Sequence, residues 1–324
     1  MLDKFQEIFS KVQEIKFCEN DKIAKNDILE FSKQLKIISP IEKARKNGNH
    51  SVIFGELDNR PVVLKTTSNP IFVSRTLTEI FTLIKLEGAL NDMFSTPKIL
   101  DFDFTDNKYL WFITTRESEN YLDGNKKKDV ETLAKATIAL IRSEFKVPFK
   151  DKDRLETINE GNEQKLVDKL NDIAQEWSKE FSDDIEKLIS IMNTYNIKNL
   201  PPTTVHGDLV ARHIIALGQD KYQIYDWELT GGAYFWGYEP AYVFHRTYTR
   251  DGNEVLAKIY LEILLSLMNL QEKKLLIQSF RPMLAQRIIG GYKDYTDKDS
   301  NEYKQNKKLN REIESYKYLP YDLN

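Results

Sequence analysis

The spacing of apolar residues changes character near Thr115, and that change limits the architectures open to this chain. Before it, residues 36–43, 51–57 and 61–66 read as three strands joined by tight turns, with Asn47-Gly48-Asn49 in the first connection and Asp58-Asn59 in the second. Leu77, Ile80, Leu83 and Ile84 then recur at helical spacing within 74–86, and two more strands follow at 98–104 and 109–114, linked by Thr105-Asp106-Asn107. Ahead of this β-β-β-α-β-β series, residues 1–35 read as two short helices separated by a polar stretch, with Asn26 or Asp27 as N-cap of the second. Beyond Thr115 helical spacing takes over, at 130–141, at Leu166, Leu170, Ile173 and Trp177, and at Ile185, Leu188, Met192 and Tyr195. Pro201-Pro202 ends that run. Strand-like segments follow from Thr203 and at 222–227, then mostly helix from Glu254, with a kink or break expected at Pro282. The pattern predicts an α+β, bilobal chain. Residues 1–115 form a small lobe with a five-stranded antiparallel sheet, a helix and a helical N-terminal extension, and 116–324 form a larger, mostly helical lobe.

Composition narrows the functional classes. A net charge of −3 and a pI near 6.0 give no general attraction to nucleic acid. The single cysteine, Cys18, rules out an internal disulfide, so a cytoplasmic location is expected. The N-terminus carries Leu2, Phe5, Ile8, Phe9 and Val12 on one side but lacks the apolar run of a secretory signal. The longest apolar stretch, 259–270, is interrupted by Glu262 and is too short to span a bilayer, so no stable membrane insertion is expected.

The chemistry is concentrated in Val205-His206-Gly207-Asp208-Leu209-Val210-Ala211-Arg212-His213-Ile214-Ile215 and in Ile224-Tyr225-Asp226-Trp227-Glu228. The acids Asp208 and Asp226 flank a hairpin-sized gap, each beside β-forming residues. Phosphoryl transfer calls for such a pair: one carboxylate orients the attacking hydroxyl and takes its proton, while another holds Mg2+ against the phosphates. His-Gly-Asp-Leu, a residue in metal-binding position five places after the Asp, and Asp-Trp-Glu after a hairpin together resemble the signature of aminoglycoside phosphotransferases and their choline- and sugar-kinase relatives. The resemblance implies a protein-kinase-like fold, ATP and Mg2+ as cofactors, Asp208 as catalytic base, Asp226 as principal metal ligand, and His206 as a structural residue of the loop. It covers about residues 36–244 in order of elements and is sharp only at these two motifs.

A site of that kind needs a cation on a central strand to meet the α- and β-phosphates, and an acid on the next helix to hold the cation. Val62-Val63-Leu64-Lys65 supplies Lys65, and Glu79 is the proposed partner, with Glu87 as the competing acid. A strand-end lysine can instead reach solvent. The turn at 46–50 holds a single glycine, Gly48, which is assigned to the nucleotide by position only. The segment Thr114-Thr115-Arg116 is the expected adenine hinge, reading the base through its backbone, with Thr115 at its centre.

The chain departs from the family pattern twice. His213 stands where relatives carry Asn, either as a metal ligand suited to a softer ion such as Mn2+ or as a packed histidine without metal. Val243 stands where the related Asp-Pro-Ala-Tyr-Asp stretch has the Asp that braces the catalytic loop. The expected activity is ATP-dependent transfer of the γ-phosphate to a small-molecule hydroxyl, of aminoglycoside, choline or sugar-like type. Glu228, Asp251, Glu254, Glu262 and residues 292–303 are candidates for the acceptor site, although mixed charges of this kind are more often solvated surface. The alternatives are a nucleotide-binding pseudokinase acting as an interaction module and a kinase of a glycan or protein acceptor.

Overall fold

The structure is a computed structural model that describes residues 1–14, 25–44, 50–67, 70–87, 90–106, 109–143, 148–151, 154–157, 172, 175–176, 184–195, 203–230 and 236–316. Gly48, Pro201-Pro202 and the spaced residues Leu166, Leu170, Ile173 and Trp177 lie outside them. The described chain divides into two compact units, Met1–Asn120 with Ile215–Thr230, and Tyr121–Ile214 with Gly231–Asn324.

The first unit opens with helices α1 (Leu2–Glu14) and α2 (Lys25–Gln34). Phe5, Ile8 and Val12 of α1 are buried, while Leu2 at its edge is exposed. Helix α2 begins at Lys25, one residue ahead of the expected N-cap positions Asn26 and Asp27. Strands β1 (Ile38–Ala44), β2 (Ser51–Leu57) and β3 (Arg60–Thr67) lead into helix α3 (Pro70–Leu86), and β4 (Phe94–Ser95), β5 (Ile99–Thr105) and β6 (Tyr109–Thr115) follow. β1, β2, β3, β6 and β5, in that order, make a five-stranded antiparallel sheet. Asp58 and Asn59 both take positive φ (50° and 60°), the backbone that a two-residue hairpin needs to match strand twist.

Alternation along β3 sorts its side chains by face. Val62 and Leu64 enter a core with Ile37, Ile53, Trp111 and Ile113, closed by Phe31 and Leu35. Lys65 belongs to the opposite set and sits between Val52 and Phe112 in the ladder. A second small sheet pairs β4 with β10 (Lys221–Ile224), and β10 with β9 (Ile214–Gly218). The segment from Thr203 is not a strand, and β10 ends at Ile224, so Trp227 opens a short helical turn, Trp227–Leu229, where the apolar pattern suggested continued strand.

The second unit is mostly helical, with α4 (Lys127–Arg142), α5 (Asp184–Met192), α6 (Tyr238–Thr249), α7 (Glu254–Leu267), α8 (Leu270–Asp294) and α9 (Asn301–Glu312). A two-stranded hairpin, β7 (Pro148–Asp151) with β8 (Arg154–Thr157), went unread in the sequence. Val130, Leu133 and Leu140 of α4 are buried, and Thr137 meets the Tyr260 hydroxyl of α7 at 2.9 Å. Asn269 and Glu272 form a capping box that starts α8. Pro282 neither breaks nor ends α8, which continues twelve residues past it to Asp294. No described helix is long and apolar enough to cross a membrane.

Candidate functional site

Lys65 is 5% exposed on β3, and a buried ammonium requires compensating charge. Its Nζ lies 2.6 Å from Glu79 Oε2, 3.0 Å from Asp226 Oδ1 and 2.9 Å from Glu228 Oε2. The sequence-proposed partner Glu79 is therefore in place, and the competing Glu87 stands instead beside Lys98 at 3.5 Å on the surface. Glu79, Asp226 and Glu228 each offer an oxygen within 4.8 Å of the others. Burial pushes the Glu79 carboxyl up to about 7 despite the opposing pull of Lys65, with Asp226 and Glu228 adding to the rise. A cluster of hard carboxylate oxygens suits a divalent cation of the magnesium type.

Local backbone fixes these acids. Asp226 takes a left-handed conformation (φ 67°, ψ 55°), a strain of about 1–3 kcal/mol for a residue with a side chain and one that gathers at ligand-holding positions. The fully buried Trp227 anchors the next turn by donating its indole N–H to the Ile224 carbonyl at 2.8 Å. Glu228, a sequence candidate for the acceptor site, is held by Lys65, with Arg75 at 3.8 Å and His50 at 3.6 Å. Glu254, another nominee, is engaged by Lys258 and Lys308.

At the expected hinge, the Thr115 N–H donates to the Lys98 carbonyl at 3.0 Å, its hydroxyl accepts the Lys98 N–H at 3.2 Å, and the Arg116 N–H donates to the Pro61 carbonyl at 3.0 Å.

In the helical unit, the His206–Leu209 loop is folded around one carboxylate. Glu239 Oε2 accepts the backbone N–H of His206 at 2.6 Å and of Gly207 at 3.1 Å, and Oε1 accepts that of Leu209 at 3.3 Å. Gly207 has φ 87°, which the turn requires and which a side chain would resist. The resemblance placed the bracing acid at position 243. Val243 is instead packed in the core, and the brace comes from Glu239, four residues earlier in the first turn of α6. Burial raises the Glu239 carboxyl, while His206 and the three amides oppose the rise.

Asp208 Oδ1 accepts a hydrogen bond from the Tyr242 hydroxyl. Its backbone carbonyl accepts from His213 Nδ1 at 2.7 Å, so Nδ1 carries a proton. Around Tyr242, Arg246 Nε donates to its oxygen at 2.9 Å and the Arg287 guanidinium lies 4.8 Å from its ring centre. Arg212 follows in the turn Ala211–His213, its guanidinium pKa lowered first by burial and then by nearby Arg250. Glu228, Glu239, Tyr242 and Arg246 went unassigned to these tasks in the sequence; the four-residue spacing of Tyr242 and Arg246, which puts them on one helix face, was the available signal.

Comparison with known proteins locates the architecture. No family profile and no curated protein matches the sequence. Among solved structures, aminoglycoside phosphotransferase APH(4)-Ia aligns with a TM-score of 0.62 at 11% identity, covering 90% of this chain and 99% of the other. The GDP complex of aminoglycoside 2'-phosphotransferase-IIIa gives 0.55 at 11% identity, covering 90% and 97%. Choline kinase LicA from Streptococcus pneumoniae gives 0.54 at 12% identity, covering 90% and 99%. This chain has the protein-kinase-like fold. Its small β-rich part and its larger helical part correspond to the lobes of that fold, at an identity too low to carry substrate or residue roles across.

Proposed function

We propose that this protein is an ATP-dependent phosphotransferase that moves the γ-phosphate to the hydroxyl of a small molecule. The observation that carries the reading is the Lys65 cluster: a buried strand lysine held by a helix glutamate and by both acids of Asp-Trp-Glu. A kinase-like site uses such a lysine against the α- and β-phosphates and such an Asp against the metal. In this reading Glu79 holds Lys65 in position, and Asp226 and Glu228 are the oxygen ligands for Mg2+. The metal-bound nucleotide, when present, supplies the phosphoryl group with its charge partly neutralised. Asp208 orients the acceptor hydroxyl and takes its proton, on a loop that Glu239 keeps rigid. The Glu239 brace removes one of the two reasons for a pseudokinase, the missing acid at 243; His213 is the other.

A phosphoryl-transfer screen over amino-glycans, sugars and amino-alcohols, run with Mg2+ and with Mn2+, tests the proposal. Transfer to a small acceptor that is lost in Asp208→Asn supports it. ATP binding with no metal-dependent turnover on any acceptor favours the pseudokinase, and label appearing in protein or glycan favours the macromolecular alternative.

A further inference from the structure

The Tyr242 hydroxyl is neither on the sheet nor in the two sequence motifs, yet it donates a hydrogen bond to the carboxylate of the candidate base. We infer that Tyr242, polarised by Arg246, is the positioning residue that sets the orientation of the Asp208 carboxylate for proton transfer. The inference rests on the reading of Asp208 as base and adds a role that neither motif contains.

The geometry runs outward in a chain. Asp208 Oδ1 accepts a hydrogen bond from the Tyr242 hydroxyl, which makes Oδ2 the oxygen more open to a substrate hydroxyl. The Tyr242 oxygen in turn accepts from Arg246 Nε at 2.9 Å, so its own proton must point at Asp208. Arg246 is fixed by donating Nη1 to the Tyr295 hydroxyl and Nη2 to Asp294 Oδ2, both at 2.9 Å. Arg287 lies 4.8 Å from the Tyr242 ring centre, and the Tyr238 ring stacks on it with centroids 5.8 Å apart. The ring is 3% exposed. A buried hydroxyl with one donor and one acceptor already assigned has a single low-energy orientation, and a carboxylate held at one oxygen cannot rotate about its terminal bond. Misplacing a reacting group by about an ångström can cost about a hundredfold in rate.

The α6 sequence makes this arrangement. Glu239, Tyr242 and Arg246 are three and four residues apart and therefore share a face of the helix. One face thus presents the carboxylate that holds the loop backbone and the hydroxyl that holds the loop side chain. Val243, buried and apolar in the same helix, serves as a control position.

The test is a double-mutant cycle on transfer or, lacking an acceptor, on metal-dependent ATP hydrolysis. Tyr242→Phe keeps the ring and removes the hydroxyl. It is expected to lower kcat about ten- to a hundredfold with KM for ATP within about twofold. In an Asp208→Asn background the same change is expected to have no further effect, because there is no carboxylate left to orient. A merely structural role would give equal losses in both backgrounds, and Val243→Ala shows how a packing defect alone behaves. Equal losses, or wild-type kcat in Tyr242→Phe, overturn the inference while leaving Asp208 as base. Wild-type kcat in Asp208→Asn overturns the base reading itself. Should Tyr242→Phe fail to fold, Arg246→Lys, which loses the Nε donor to Tyr242, makes the same comparison: a kcat loss present with Asp208 and absent without it supports the inference, and equal losses overturn it.

Discussion

Glu239 accepts the backbone N–H of His206 at 2.6 Å. A side chain thirty-three positions away in sequence thereby fixes the loop that carries Asp208, and the same carboxylate takes two more amides from that loop. Buried amides need acceptors, and a buried carboxylate that meets three of them replaces its lost water with aligned dipoles.

Glu239→Gln is expected to destabilise the protein more than a surface substitution would. The amide side chain has one acceptor oxygen and brings a donor against backbone donors, and each buried group left unpaired costs about 1–3 kcal/mol. A lower midpoint of urea unfolding, with unchanged slope, is the expected result; a midpoint equal to wild type would contradict the bracing role.

Lys65→Met removes the only ammonium found within ion-pair distance of Glu79 and Asp226 among the described residues. Leaving buried charge without its partner typically costs about 3–5 kcal/mol. The loss should be larger at pH 8 than at pH 5, because protonation relieves the uncompensated acids. Unfolding curves at both values check the size and the sign, and ATP affinity should fall in parallel.

Glu79 gives a second pH signature. Its folded carboxyl is pushed up from 4.5 to about 7, mainly by burial. Between those values the folded state holds a proton that the unfolded state has released, so this group's contribution to stability falls as pH rises through the window. The difference in unfolding free energy between wild type and Glu79→Gln should change across it by up to about 1.4 kcal/mol per pH unit. A flat difference from pH 4.5 to 7 would contradict the assignment.

Much of this organisation was legible in the residues because it depends on local periodicity. The strand-turn-strand pattern at Asp58-Asn59, the helix around Leu77–Leu83 and the paired motifs at Asp208 and Asp226 are short-range signals that sterics and side-chain chemistry enforce. What escaped depends on packing across long separations. Glu228 sits beside a lysine 163 positions away, a pairing that no local pattern announces. Val243 looked like a lost brace because position was read without geometry, whereas Glu239 reaches the loop from the preceding turn of α6. Pro282 failed to break α8, whose burial from Leu275 to Tyr292 outweighs one missing N–H.

The most direct measurement of the central claim is the magnesium dependence of ATP binding, followed by calorimetry in wild type and Asp226→Asn. If Lys65 and Asp226 hold the metal-bound nucleotide, wild type binds ATP more tightly with Mg2+ than without it, and Asp226→Asn loses that increment while retaining weak metal-free binding. ATP affinity that is indifferent to Mg2+, or an increment undiminished in Asp226→Asn, would contradict the account.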